Sequence, residues 1–234
     1  LIHLSTSHDN MAAHWLPLES NPDSINAYLT KMGVTSVECV DVFSFDDDML
    51  AFVPSPQVAL LLCYPDYKKV AEVDAPSYEK LKAEGAGVPK GVFFMRQRIE
   101  NACGTFALFH ALANNEGNVD LGSGAFAQWL EKAKPLDENA RSELLENDAA
   151  LAGAHEETSR AGETEQNEKT QHHFVAFVVK DGVLYEINSS APFPRPLGAS
   201  TAKTLIKDAS VHIQDLMAKL DTISFSALAL VNNN

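Results

Sequence analysis

The chain has 234 residues, 45% of them hydrophobic and 21% charged, with a formal charge of −14 and three cysteines. That length suits one domain or two small ones able to bury a full core. The acidic balance argues against nucleic acid and against an anionic membrane surface, both of which reward Lys and Arg clusters, and no apolar run approaches the roughly 18 residues of a membrane span.

Residues 1–10 lack the basic and apolar regions of a signal peptide and read as a leader or remnant ahead of a single domain over 11–234. Asn21-Pro22 sets a capping side chain before a first-turn proline, and Ile25, Tyr28, Leu29 and Met32 follow at helical spacing, so a first helix is expected up to Gly33. Residues 36–43 and 57–64 are short apolar runs bounded by turn signals and read as buried strands. Residues 65–89 are polar, with room for one short helix at 78–83.

A brief strand is expected at 91–95, followed by a helix at 103–114 that is apolar on every side and therefore central. Two further helices are expected at 124–132 and 137–146. From 147 to 171 the apolar periodicity disappears, which reads as a long mobile loop, and a compact domain seldom keeps such a loop unless it is a lid or binding loop. Asp181-Gly182 between 172–180 and 183–188 is a strong signal for a two-residue hairpin. A late amphipathic helix uses Ile206, Ala209, Ile213, Leu216, Met217 and Leu220, and a closing strand is expected at 223–231.

Three cysteines without bridge spacing fit a reducing, cytoplasmic compartment, which leaves a thiol available for chemistry. Cys39 and Cys63 lie in or beside apolar strands and read as small hydrophobes. Cys103 opens the central helix, where the helix dipole and unpaired N–H groups favour the thiolate. Gln97, six residues earlier, can join the Cys103 backbone N–H around a developing oxyanion.

The hairpin selects a base. With Asp181 and Gly182 at its turn, Lys180 faces Val183, Phe177 faces Glu186 and Val175 faces Asn188. His173 and Asn188 then share a face as diagonal neighbours, while His172 points to the other side with Ser189. Asn188 is expected to accept the imidazole Nδ1–H, leaving Nε2 to take the thiol proton, as in Cys-His-Asn triads. Glu186 lies on the same face but further from His173.

Taken together, WLPLESNP at 15–22, FMRQRIENACGT at 94–105, HEETS at 155–159, HFVAF at 173–177, LYEINSSAPFP at 184–194 and FSALAL at 225–230 give a chain that resembles the short, single-domain ubiquitin carboxyl-terminal hydrolases. The resemblance implies an α/β, papain-related (α+β) fold: a mostly antiparallel central sheet flanked by helices on both sides, a knotted backbone, and residues 147–171 as a crossover loop over the active site. It implies a monomeric cysteine-type deubiquitinase that needs no metal or other cofactor. Such an enzyme cleaves after the C-terminal glycine of ubiquitin, with Nedd8 as a second candidate partner.

By the same resemblance Cys103 is the nucleophile, His173 the base and Gln97 the oxyanion donor, and Leu16, Pro17, Leu18, His155, Glu156 and Phe225 belong to the ubiquitin-binding surface. One departure stands out. The family pattern has Asp followed by Gly-Arg-Lys where this chain has Asn188, Ser189, Ser190 and Ala191. Losing the acid removes a charge that would stabilise the imidazolium, so a ubiquitin-binding protein without turnover is the alternative to an active but slowed enzyme.

Overall fold

The computed structural model describes residues 14–162, 171–222 and 224–233. The proposed leader and the start of the domain, residues 1–13, lie outside them. Among the described residues six strands, β1 (Val37–Asp41), β2 (Gln57–Tyr64), β3 (His173–Lys180), β4 (Val183–Ile187), β5 (Arg195–Ala199) and β6 (Ser226–Asn232), form one sheet in the order β1-β6-β2-β3-β4-β5. Every pairing is antiparallel. Eight helices accompany it among the described residues: α1 (Pro22–Met32), α2 (Asp47–Leu50), α3 (Tyr67–Ala83), α4 (Cys103–Asn114), α5 (Ala125–Ala133), α6 (Glu138–Glu146), α7 (Ala149–Ala161) and α8 (Leu205–Leu220).

The sheet has a core on each face, and the two-residue period of its strands divides them. Leu61 and Cys63 of β2, Phe174, Ala176 and Val178 of β3, and Leu228 and Leu230 of β6 pack with α1, α4 and α5. Leu60, Leu62 and Tyr64, Val175 and Phe177, and Ala227, Ala229 and Val231 pack with α3 and α8. All eight β2 residues are buried, which is why that strand reads as an unbroken apolar run. α4 is buried along its entire length.

Three expectations need correction. Residues 91–95 join no strand, because α4 side chains satisfy their backbone: Asn114 bonds both the N–H and C=O of Phe93, and His110 Nε2 accepts from Met95 N–H. α3 starts at Tyr67 rather than near residue 78. It buries only Val70 and Asp74 and carries Pro76 inside, so its sequence lacks the apolar stripe of a helix and holds a residue that ordinarily ends one.

The third concerns residues 147–171. Residues 149–161 are helix α7, capped by Asp148, whose carboxylate accepts from Ala150 and Leu151 N–H. Its buried stripe is Leu151, His155, Thr158 and Ser159. That is helical spacing with a single apolar member, so no hydrophobic period marks it. The rest of the expected crossover loop falls largely on residues 163–170, outside the described residues.

Candidate active site

The β3–β4 hairpin has the expected register: Lys180 opposite Val183, Val179 opposite Leu184 and Phe177 opposite Glu186. His173 therefore sits at the first position of β3 with Asn188 just past the end of β4, and the two side chains meet at 2.9 Å. His172 is exposed, whereas His173 is buried.

The contact runs through a different ring nitrogen from the one expected. His173 Nε2, not Nδ1, lies at 2.9 Å from Asn188 Oδ1. The same Oδ1 accepts the Ser190 backbone N–H at 2.9 Å, and Asn188 Nδ2 donates to the Tyr64 hydroxyl at 3.3 Å. A backbone N–H can only donate, so the atom facing it is the carboxamide oxygen. That oxygen carries no hydrogen, so Nε2 must hold the ring proton and Nδ1 keeps a free lone pair. The spacing of two residues along a strand places the side chains on one face but cannot tell which ring edge turns inward.

Cys103 is buried at the first position of α4, behind the N-cap residue Ala102, which supplies no side-chain cap. The first N–H groups of the helix are thus left for the sulfur or a ligand. Burial holds the thiol above its ordinary range, while the backbone N–H groups of Phe174, Gly104 and Cys103 itself act in the opposite sense. The Phe174 contact sets the thiol beside the start of β3, against the residue that follows His173 in the chain. Burial likewise lowers the His173 pKa, against the Asn188 hydrogen bond. Both shifts favour a neutral thiol and neutral imidazole at rest, with the proton moving when substrate arrives. No hydrogen bond joins the two groups among the described residues, and such contacts commonly tighten only in the substrate complex.

Gln97 is held at both ends of its amide. Its Nε2 donates to Ile99 O at 3.0 Å and its Oε1 accepts from the Ser189 hydroxyl at 2.8 Å. Its backbone N–H also donates to Ser189 O at 3.0 Å. One amide hydrogen remains for a substrate oxygen.

The expected partner-facing residues divide. Leu16 and Pro17 are half-buried and Glu156 is exposed on α7, ion-paired with Arg160. Leu18 is buried against the start of α4: a Cβ on Gly104 would stand 3.1 Å from Leu18 Cβ. His155 is 1% exposed, so it presents no surface of its own. Its Nε2 donates to Leu16 O at 2.7 Å and its Nδ1 accepts from Thr105 at 2.7 Å, while Trp15 covers the ring at 4.5 Å. Phe225 is half-buried on the other face of the sheet, 6.5 Å from the Tyr64 ring.

Sequence reasoning missed Tyr64, Ser189 and the Ser190 backbone as parts of the site. Tyr64 pairs with His173 across β2 and β3, a long-range register that no local pattern reveals. A cleft of about 330 Å³ opens beside His173 and Asn188, walled by Tyr64, Tyr67 and Tyr78. Cys103 is not among its walls.

A cysteine at an uncapped helix start, an imidazole whose tautomer is set by a carboxamide, and a glutamine with a spare amide hydrogen define a thiol hydrolase of papain type. The family model for ubiquitin carboxyl-terminal hydrolase, family 1, matches residues 15–218, and the chain belongs to that family. It is 36% identical to a ubiquitin carboxyl-terminal hydrolase of Drosophila melanogaster over 92% of this chain and 96% of the relative. It is 35% identical to ubiquitin carboxyl-terminal hydrolase 3 of Arabidopsis thaliana over 97% of each. It is 34% identical to isozyme L1 of Homo sapiens over 92% of this chain and 96% of that one. The fold matches the Trichinella spiralis UCH37 catalytic domain, solved with ubiquitin vinyl methyl ester bound, at a TM-score of 0.70 and 20% identity, covering 94% of this chain and 96% of that one.

Proposed function

We propose that this enzyme cleaves the bond after the C-terminal glycine of ubiquitin, whether peptide, isopeptide, ester or thioester, and releases small adducts or short peptides. His173 Nδ1 takes the Cys103 proton as Sγ attacks the glycine carbonyl carbon. The oxyanion is met by the Cys103 backbone N–H and the spare Gln97 N–H. Collapse of the tetrahedral intermediate expels the leaving group, which takes its proton from Nδ1. Water, deprotonated by the same nitrogen, then hydrolyses the thioester.

One observation carries this reading: Asn188 Oδ1 is fixed by the Ser190 N–H and so imposes the Nε2–H tautomer on His173. A carboxamide does this without a charge, which supports turnover rather than a bare binding role. The acidic surface suits a basic partner, and Leu16 and Pro17, held from behind by α7, offer the segment to meet it. The three unpaired, buried cysteines fit a reducing compartment such as the cytoplasm, and we propose a monomer there.

The test incubates the protein with ubiquitin, and separately Nedd8, carrying a C-terminal electrophile, and with a fluorogenic ubiquitin amide. The expected result is labelling of Cys103, its loss in Cys103→Ala, and turnover of the amide with ubiquitin preferred. Binding without labelling, or labelling that survives Cys103→Ala, overturns the mechanism.

A further inference from the structure

We propose that Ser189 is a positioning residue for the oxyanion donor, a role built on the reading of Gln97 given above. The family pattern places glycine at this position, which has no hydroxyl to offer. Here the Ser189 side chain, 2% exposed, donates to Gln97 Oε1 at 2.8 Å. The direction of that bond is fixed. Ile99 O can only accept, so the amide atom 3.0 Å from it is Nε2, and the atom turned to Ser189 is therefore the carbonyl oxygen.

Two consequences follow from elementary hydrogen-bond physics. A carboxamide anchored at one N–H alone can still swing about its side-chain torsions, whereas anchors at both oxygen and nitrogen fix its plane and aim the second N–H. A donor on the carbonyl oxygen also polarises the amide and makes its remaining N–H a stronger donor, as in other chains of hydrogen bonds in a low-dielectric interior. Both effects serve an oxyanion hole, which acts through donors already aligned before charge develops.

The backbone reinforces the link, since Gln97 N–H donates to Ser189 O at 3.0 Å. Asn188, which orients His173, directly precedes Ser189. The turn after β4 thus sets the general base through one residue and the oxyanion donor through the next, so both halves of the catalytic apparatus are registered to a single stretch of chain. In a chain that has given up the carboxylate at 188, a more firmly held oxyanion donor supports the same transition state from its other side.

The experiment measures kcat and KM on a fluorogenic ubiquitin amide for the wild type, Ser189→Ala, Ser189→Thr, Gln97→Ala and the Ser189→Ala/Gln97→Ala double variant. Alkylation of Cys103 by iodoacetamide, which develops no oxyanion, is followed in parallel. Ser189→Ala is expected to lower kcat about tenfold with KM and the alkylation rate unchanged, the scale of one supporting hydrogen bond. Ser189→Thr restores kcat, and Ser189→Ala is silent in the Gln97→Ala background because its effect passes through that amide.

Wild-type kcat in Ser189→Ala, additive losses in the double variant, or a matching fall in alkylation overturns the proposal. A slow Gln97→Ala beside a silent Ser189→Ala rejects Ser189 alone, whereas a silent Gln97→Ala rejects the oxyanion-hole reading as well. Should Ser189→Ala fail to fold, Ser189→Gly reads the same loss of the hydroxyl.

Discussion

Asn188 Oδ1 sits 2.9 Å from His173 Nε2 and 2.9 Å from the Ser190 backbone nitrogen, so one oxygen is shared between the ring of the proposed base and the turn that follows β4. The arrangement separates two jobs that an aspartate performs together, fixing the tautomer and stabilising the imidazolium charge. This chain keeps the first and forgoes the second.

Asn188→Asp restores the charge while leaving an acceptor in the same place, and the Tyr64 hydroxyl can turn to donate to it. A carboxylate raises the His173 pKa, which burial now holds below its usual value. The acid limb of kcat/KM, expected below about pH 6.5 in the wild type, should move upward. Turnover at neutral pH should rise with it. A pH–rate profile on a fluorogenic ubiquitin amide checks both, and an unchanged or lower rate would show that the site is tuned to the amide.

Asn188→Leu removes the acceptor and frees the ring to take either tautomer. In a serine protease a wrongly fixed tautomer costs about 10⁴ in rate. A loss of roughly 10² to 10⁴ in kcat is expected here, with KM unchanged. Single-turnover kinetics with a ubiquitin thioester separates this chemical defect from slow release.

Much of this site is legible in the sequence because hairpin register is arithmetic. Once Asp181-Gly182 is placed at the turn, the face shared by His173 and Asn188 follows, and Cys103 follows from the boundary of a helix apolar on all sides. What stays hidden depends on contacts distant in sequence. The pairing of Tyr64 with His173 joins strands more than a hundred residues apart, and the choice of Nε2 over Nδ1 is made by a ring rotation that spacing does not encode. Helix α7 escapes notice because its inward stripe is completed by His155, Thr158 and Ser159, whose burial is satisfied by hydrogen bonds rather than by apolar packing. The short strand β5 escapes as well, its residues being mostly exposed or half-buried.

His155 ties Leu16 to α4 through Thr105, and burial pushes its pKa from 6.5 down to about 4. A base whose folded pKa is depressed contributes stability that is intact above its unfolded value and is lost as pH falls toward the folded one. Wild-type stability should therefore decline between pH 6.5 and about 4 partly through this residue. His155→Gln should flatten that slope in urea titrations across the range. Because the clasp holds the segment proposed to meet ubiquitin, the variant should raise KM more than it lowers kcat.

Arg195 lies between Asp74, at 2.6 Å, and Glu186, at 2.5 Å, in a cluster whose side chains are 8–13% exposed. Arg195→Ala leaves two buried carboxylates facing each other without a cation, at an expected cost of about 3–5 kcal/mol. Burial already raises the Glu186 pKa, and Arg195 acts against that. Without the arginine the pKa rises further above its unfolded value. A raised carboxylate pKa gives stability that is present at low pH and lost as pH climbs through it, so the penalty should be full at neutral pH and should shrink toward about pH 4. Thermal melting of the variant against the wild type across that range measures the closing gap, and a penalty independent of pH would show that lost packing, not unpaired charge, is responsible.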